Sequence, residues 1–546
     1  MSMKKIAFIL VSMVVLIACD STKTTKKQSD KNGGTLRLNL GGEITTLFPP
    51  KILNYESMAV STQIYEGLVK LNPKTLEIEP ALATKWEANE NNTVFTFTLR
   101  KDVYFHETPD FKKRKVTIED VKACFDKLCQ LGSNRRNDYG DQFCDKISGV
   151  KDGTSNVDGI KILNDSIIQF ELKKPFSDFL SFMNIASYVV YPPEVADALA
   201  DGDFTKAIGT GPFKVKTVVD NEKIELVKNE NYWKTDAEGN ALPYLDGLNY
   251  TFSDKTTEIN NFRDGKLDFI REVPSSQLGN ILPSIEEARA GKNNDFNYTS
   301  FPGLTIKIIS FNFRNEVFNN IDVRKAFNYA INKQHIADSA LQGDFKPAHG
   351  GIVPTLEIFN NTDFKGFKYD PVKAKEHIAK AGYPNGVGFP EITLHTRRVR
   401  VDSVYMGEVV EMLNKNLNIN VKFDASMTQS ELTNRVRSEN NDLDIYRYGW
   451  IADFVSPENF LQLYSKNNFS DYKNETYTKL LEQAAMEQDL NARLSTYKKA
   501  DQVLIDDAAL IPLLYNDLEF LTTKRVENFH ANPLDYRDFR EVYIKE

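Results

Sequence analysis

Histidine, cysteine and tryptophan are scarce in this chain of 546 residues, with six, four and three copies. The six histidines are His106, His335, His349, His377, His395 and His530, and no two stand at metal-ligand spacing. No C-x-x-C, H-E-x-x-H, G-x-S-x-G or phosphate-binding loop occurs, and Gly386 and Gly388 do not extend to a dinucleotide fingerprint. Motif-based metal, cofactor and nucleophile chemistry is therefore not expected, and neither is a cofactor. An excess of basic charge is also missing: 68 basic and 76 acidic residues leave a net charge of −8. A nucleic-acid binder draws its affinity from Lys and Arg on phosphates, so that class is excluded as an expectation. Beyond the first twenty residues no apolar run approaches membrane-spanning length.

What is present is an ordinary soluble composition, 41% hydrophobic and 26% charged, with 35 Phe and 23 Tyr. The length predicts three to four structural units. Lys4 and Lys5 precede an apolar run from Ile6 to Ile17, broken only by Ser12. That pattern is a secretory signal, too short to span a bilayer of about 30 Å. It ends in Leu16-Ile17-Ala18-Cys19, which is similar to the bacterial lipoprotein box, with Cys19 as the lipidated residue. Asp20 to Asn32 holds no large apolar residue and reads as a flexible tether of about 20 Å. The other cysteines, Cys124, Cys129 and Cys144, allow at most one bridge. Cys124 and Cys129 sit five apart in one expected helix, poor geometry for pairing, and all three read as structural.

Alternation predicts strands at Thr35 to Leu40, Val94 to Arg100, Ile167 to Leu172, Lys214 to Val219, Thr305 to Phe313, Ile392 to Leu394, Ile419 to Phe423 and Asp444 to Tyr448. Thr117 is an expected N-cap, and Asp370 caps a helix with Pro371 in its first turn and Gly382 beyond its end. Helices are also predicted from Asp322 to Ile331, Ser403 to Leu417, Asn474 to Met486 and Leu490 to Ile505. The order is mixed α/β without a repeat or low-complexity linker, which suggests domains joined by strands and hence a hinge.

Several stretches, in order, carry a resemblance. They are Gln63-Ile64-Tyr65-Glu66-Gly67-Leu68-Val69, Pro80-Ala81-Leu82-Ala83-Thr84-Lys85-Trp86-Glu87, Phe95 to His106, Gly209-Thr210-Gly211-Pro212-Phe213 and Asn229-Glu230-Asn231-Tyr232-Trp233. Further on come Asp322 to Phe327, Tyr369-Asp370-Pro371, Ala381-Gly382-Tyr383-Pro384 and Gly449-Trp450-Ile451-Ala452-Asp453-Phe454. With these the chain resembles the oligopeptide- and dipeptide-binding proteins of bacterial ABC importers, extracellular solute-binding protein family 5, over its whole mature length.

The resemblance implies a two-lobed periplasmic-binding-protein-like α/β fold with an additional subdomain and a strand hinge. On that basis residues 1–18 are the signal peptide and 19–33 the lipidated Cys and tether. Residues 34–80, 205–300 and 520–546 form lobe I, 81–204 the extra subdomain and 301–519 lobe II. The implied partners are a short peptide, ABC permease subunits and a membrane reached through the lipid on Cys19. The protein is then a non-enzymatic, extracytoplasmic monomer. Asp453 matches the position whose carboxylate holds a ligand's α-ammonium. Arg447, six residues earlier, either meets a short peptide's carboxylate or forms an ion pair with Asp444 or another acid. Trp450 either walls the pocket or fills the core. Arg397, Arg398 and Arg400 follow the Ile392–Leu394 strand where dipeptide binders place a carboxylate-binding Arg, or form a solvated loop. Glu43, Ile44 and Thr45 belong to an edge expected to pair with peptide backbone. Two positions depart from the family's pattern: Ser456-Pro457 stands for Asp-Pro, and Leu47-Phe48-Pro49 for Leu-Asp-Pro. Alternatives are a non-peptide ligand in the same fold (a nickel chelate, haem, an opine or an oligosaccharide), a peptide-signal sensor, or a secreted hydrolase.

Overall fold

The computed structural model describes residues 31 to 545 except 32, 131–138, 152–154, 221, 273–286, 288–289, 293–294, 342–343, 360–361 and 467. The leader, Cys19 and the tether through residue 30 lie outside the described residues.

Three sheets organise the chain. The first has four strands in the order Thr35–Leu40, Gly247–Phe252, Lys223–Lys228, Phe213–Val219, with only the first pair parallel. Leu36, Leu38 and Leu40 lie in one core with Ala59, Val60 and Ile64 of the helix Tyr55–Ile64. The second sheet is antiparallel, in the order Ala83–Ala88, Val94–Leu99, Ile167–Glu171, Ile160–Asn164. Phe95, Phe97 and Leu99 share its buried face, as the period of two demands. The helix Ile118–Gln130 covers that face, with Phe125 edge-on to Phe170 at 5.1 Å. Its start is secured reciprocally: Asp120 N–H donates to Thr117 Oγ1 and Thr117 N–H donates to Asp120 Oδ2. A disulfide, Cys129–Cys144, ties this helix to the next, Tyr139–Lys146, while Cys124 is buried and free.

The third sheet has seven strands, in the order Phe269–Arg271, Leu510–Thr523, Phe296–Phe311, Ile445–Ile451, Ile392–Arg397, Val421–Met427, with Phe345–Pro347 also on Leu510–Thr523. Its two longest strands are antiparallel and pass from one core into another. Phe301, Leu518 and Phe520 pack in the first core, whereas Ile306, Ile308 and Leu510 pack in a second. Between Pro302 and Ile306 their register breaks. Pro302 has no N–H to give to a ladder, and a side chain on Gly303 would come within 2.9 Å of the Asn516 carbonyl oxygen. This is where the strand departs from expectation. It begins at Phe296, because polar residues and the Pro-Gly pair mask the alternation before Thr305. The chain then returns to the first core through Val526, Phe539 and Val542.

No described helix is long and apolar enough to cross a membrane.

Candidate functional site

The strand Ile445–Ile451 lies between Phe296–Phe311 and Ile392–Arg397. Alternation puts Arg447, Gly449 and Ile451 on one face and Tyr446, Tyr448 and Trp450 on the other. The second face is core: Tyr448 and Trp450 pack against Ile306, Ile308 and Phe460. Trp450 therefore meets core, and its indole Nε1 donates to Asn459 Oδ1 at 2.6 Å. The same oxygen accepts the Asp453 backbone N–H at 3.2 Å, so Trp450 fixes the loop carrying Asp453. Ser456 Oγ accepts from Glu458 N–H at 3.0 Å, closing the turn that leads into the short helix Glu458–Leu461. A hydroxyl does there what a carboxylate would do, so the Ser-for-Asp departure preserves the turn.

Asp453 is half-buried and has no cation beside it among the described residues. Tyr139, at the head of the disulfide-tied helix, donates its hydroxyl to Asp453 Oδ1 at 2.9 Å. Tyr188 holds that helix start by donating to the Tyr139 carbonyl at 2.7 Å. Next to Asp453, Phe454 reaches into the aromatic cluster of Phe182 and Phe176, with centroids at 5.7 and 6.3 Å. Burial pushes the Asp453 carboxyl up to about 6, against the lowering pull of the Tyr139 hydroxyl.

The other end of the strand is cationic. Arg447 Nε lies 3.2 Å from the Tyr405 hydroxyl and 3.4 Å from Asp402 Oδ2. Arg397 Nε meets the same Asp402 oxygen, and its Nη1 donates to Gln429 at 3.0 Å. Asp402 and Tyr405 arrive on a helix, Arg400–Leu417, that packs over the Arg447 face. Burial works to raise Asp402, but Arg447, Arg397 and Lys307 hold it below the usual carboxylate range. Its Oδ1 is buried without a hydrogen bond. Lys307, directly opposite Gly449, stands 3.7 Å over the Phe345 ring and 5.6 Å from that of Tyr405. Burial first, then Arg447, pull the Lys307 ammonium down to about 8.

The acid beside Arg447 is thus Asp402 rather than Asp444, which instead accepts from Thr393 N–H and Asn315 Nδ2 at 2.8 Å each. Of the three arginines that follow, Arg397 is the last residue of its strand and joins the cluster, while Arg398 and Arg400 are exposed. Glu43, Ile44 and Thr45 form an extended stretch after the first strand. Asn54 holds it by donating to Glu43 O at 2.8 Å and by accepting from Thr45 Oγ1 at 2.9 Å. Glu43 and Thr45 are exposed, Ile44 rests on the first core, and no strand among the described residues pairs with them. Tyr139, Lys307, Asp402, Tyr405 and Asn459 belong to the site without having been anticipated. Lys307 left a trace, a lone cation inside the apolar run Thr305 to Phe313; Tyr139 and Asp402 left none, because only the fold brings them close.

Two lobes sharing a pair of long strands, with charged groups gathered beside the crossing, define a solute-binding protein of the periplasmic type. The family model for bacterial extracellular solute-binding proteins, family 5 (middle), matches residues 77–471, and the chain belongs to that family. Heme-binding protein A of Haemophilus influenzae is 27% identical, covering 100% of both chains. The oligopeptide-binding protein OppA of Bacillus subtilis is also 27% identical, over 99% of each. Among solved structures, the periplasmic binding protein DppA from Helicobacter pylori in complex with the peptide STSA superposes with a TM-score of 0.71. That structure is 26% identical and covers 94% of this chain and 99% of its own.

Proposed function

We propose that this protein captures short peptides between its lobes and hands them to an ABC permease, without chemical turnover. One observation carries the reading. A carboxylate without a cation and cations in excess of their carboxylate lie at the two ends of one segment, Arg447 to Asp453. A buried lone charge is costly, and an opposite charge relieves it. A zwitterion laid along the segment relieves both. Six residues of extended chain reach at most about 20 Å, which leaves room for a tripeptide of about 10 Å. In this reading Asp453 holds the ammonium with Tyr139, and Arg447 and Arg397 take the carboxylate. The free stretch Glu43-Ile44-Thr45 adds strand-like pairing to the peptide backbone.

The binding is to a monomer, with lobe I in residues 34–80, 205–300 and 520–546, the extra subdomain in 81–204 and lobe II in 301–519. The relatives named for oligopeptide binding and for a bound peptide support peptide as the ligand. Acylation of Cys19 keeps the body at an extracytoplasmic membrane face; mass spectrometry of the N-terminal fragment tests it, and an unmodified Cys19 refutes it. The relative named for haem gives the second reading. Native mass spectrometry of the purified protein separates the two, with a heterogeneous set of small peptides expected. In titration calorimetry with Ala-Ala-Ala, Asp453→Ala should weaken binding at least tenfold with no loss of thermal stability in the unliganded protein. Unchanged affinity would remove Asp453 from the site.

A further inference from the structure

We propose that Lys307 is a specificity-determining residue that favours peptides ending in aspartate or glutamate, whose side-chain carboxylate it receives beside the terminal one. This rests on the reading that peptide lies along the Arg447 to Asp453 segment. Three cations, Arg397, Arg447 and Lys307, surround one carboxylate, Asp402. Two positive charges are left over, and a terminal carboxylate neutralises one of them. The next acid in range of Lys307 is Glu272, and Arg271 already holds it at 3.1 Å. Among the described residues the Lys307 ammonium makes no hydrogen bond and no ion pair; it stands only over aromatic rings. An ammonium so placed is poised for an anion, since ring faces supply far less than a hydrogen-bonded carboxylate.

The sheet sets the spacing. Lys307 is opposite Gly449, and Arg447 is opposite Ile309, so Lys307 and Arg447 are diagonal neighbours on one face, about 7 Å apart at their Cβ atoms. Both cationic tips turn to Tyr405, Lys307 Nζ at 5.6 Å from its ring centroid and Arg447 Nε at 3.2 Å from its hydroxyl, so the two carboxylates of one C-terminal residue meet one cation each. Gly449 brings no side chain between them, and a Cβ there would sit 3.6 Å from Arg447 Nη2.

The test is calorimetry with Ala-Ala-Glu, its uncharged isostere Ala-Ala-Gln, and Ala-Ala-Ala. Wild-type protein should prefer Ala-Ala-Glu over Ala-Ala-Gln by about tenfold. Lys307→Met should abolish that preference, so that it binds Ala-Ala-Glu and Ala-Ala-Gln equally, and Lys307→Arg should retain it. Equal affinity of wild type for the Glu and Gln peptides overturns this inference and leaves the peptide reading standing. A preference that survives in Lys307→Met assigns the selection elsewhere and overturns it equally. Absence of binding for all three peptides overturns the peptide reading itself, and this inference with it.

Discussion

Asp453 is held in its loop by Asn459 and approached by a single hydroxyl, and its charge is the least compensated of the site. Its carboxyl sits at about 6, above the ordinary value for an unfolded chain, so the fold prefers it protonated. The contribution therefore runs in the acid direction. It is present below about pH 4 and is lost as pH rises through 6, where ionisation costs the unliganded fold about 3 kcal/mol. A bound ammonium reverses the preference. Peptide affinity should be flat between pH 6 and about 7, where the peptide's own amino group is still charged, and fall about tenfold per unit below pH 6, with proton release on binding measurable in buffers of different ionisation heat. Asp453→Asn should erase that slope and raise, not lower, the melting temperature at pH 7. A slope that persists in the variant would place the titrating group elsewhere. Asp453 and Arg447 could be singled out in the sequence because one lies in, and the other just before, the short contiguous motif Gly449 to Phe454. Lys307 was passed over because a single lysine in an apolar strand looks like a solvent-facing position until its opposite number is known.

The helix Tyr139–Lys146 gives the site its second wall, and two covalent and polar ties hold it: the Cys129–Cys144 bridge and the Tyr188 hydroxyl. The bridge spans a sequence separation of 15, for which loop-closure entropy predicts roughly 3 kcal/mol of stabilisation. Replacing both cysteines with serine should lower the melting temperature accordingly, as seen in differential scanning calorimetry. Tyr139→Phe should lower the melting temperature slightly and weaken peptide binding about tenfold or more, the worth of one hydrogen bond to a charged group. Equal binding by that variant would mean the hydroxyl contributes nothing once ligand is in place. Most elements here could be read in advance. Alternating Phe95, Phe97 and Leu99, the Asp370-Pro371 start and the Gly382 stop are local signals, and the helix Pro371–Lys380 follows them. Which cysteines would pair could not be read, since the choice depends on how two helices lie side by side. Nor could Trp450, whose place in core or pocket is decided by which face of its strand is covered.

The segment proposed as the extra subdomain also touches the proposed lobe II. Tyr497 donates its hydroxyl to Asp178 at 2.7 Å, Arg493 lies 3.4 Å from the same carboxylate, and Ser177 N–H donates to Ala485 O at 3.0 Å. If ligand shuts the chamber, these contacts and the buried peptide act on the same equilibrium. Saturating peptide at a hundred times its Kd should add about 2.7 kcal/mol of stability and shrink the radius of gyration in small-angle scattering. A thermal shift without any change of shape would indicate binding to an already closed molecule. Both charged ends of the proposed grip belong to one short segment: Arg447 is on a strand of the seven-stranded sheet and Asp453 is on the loop two residues past that strand's end. A guest can thus be seized in full by half of the molecule before the other half arrives. In such a grip arrival and escape are governed by different things: the rate of capture answers to electrostatic attraction and salt, and the time a peptide stays answers to the contacts that cover it.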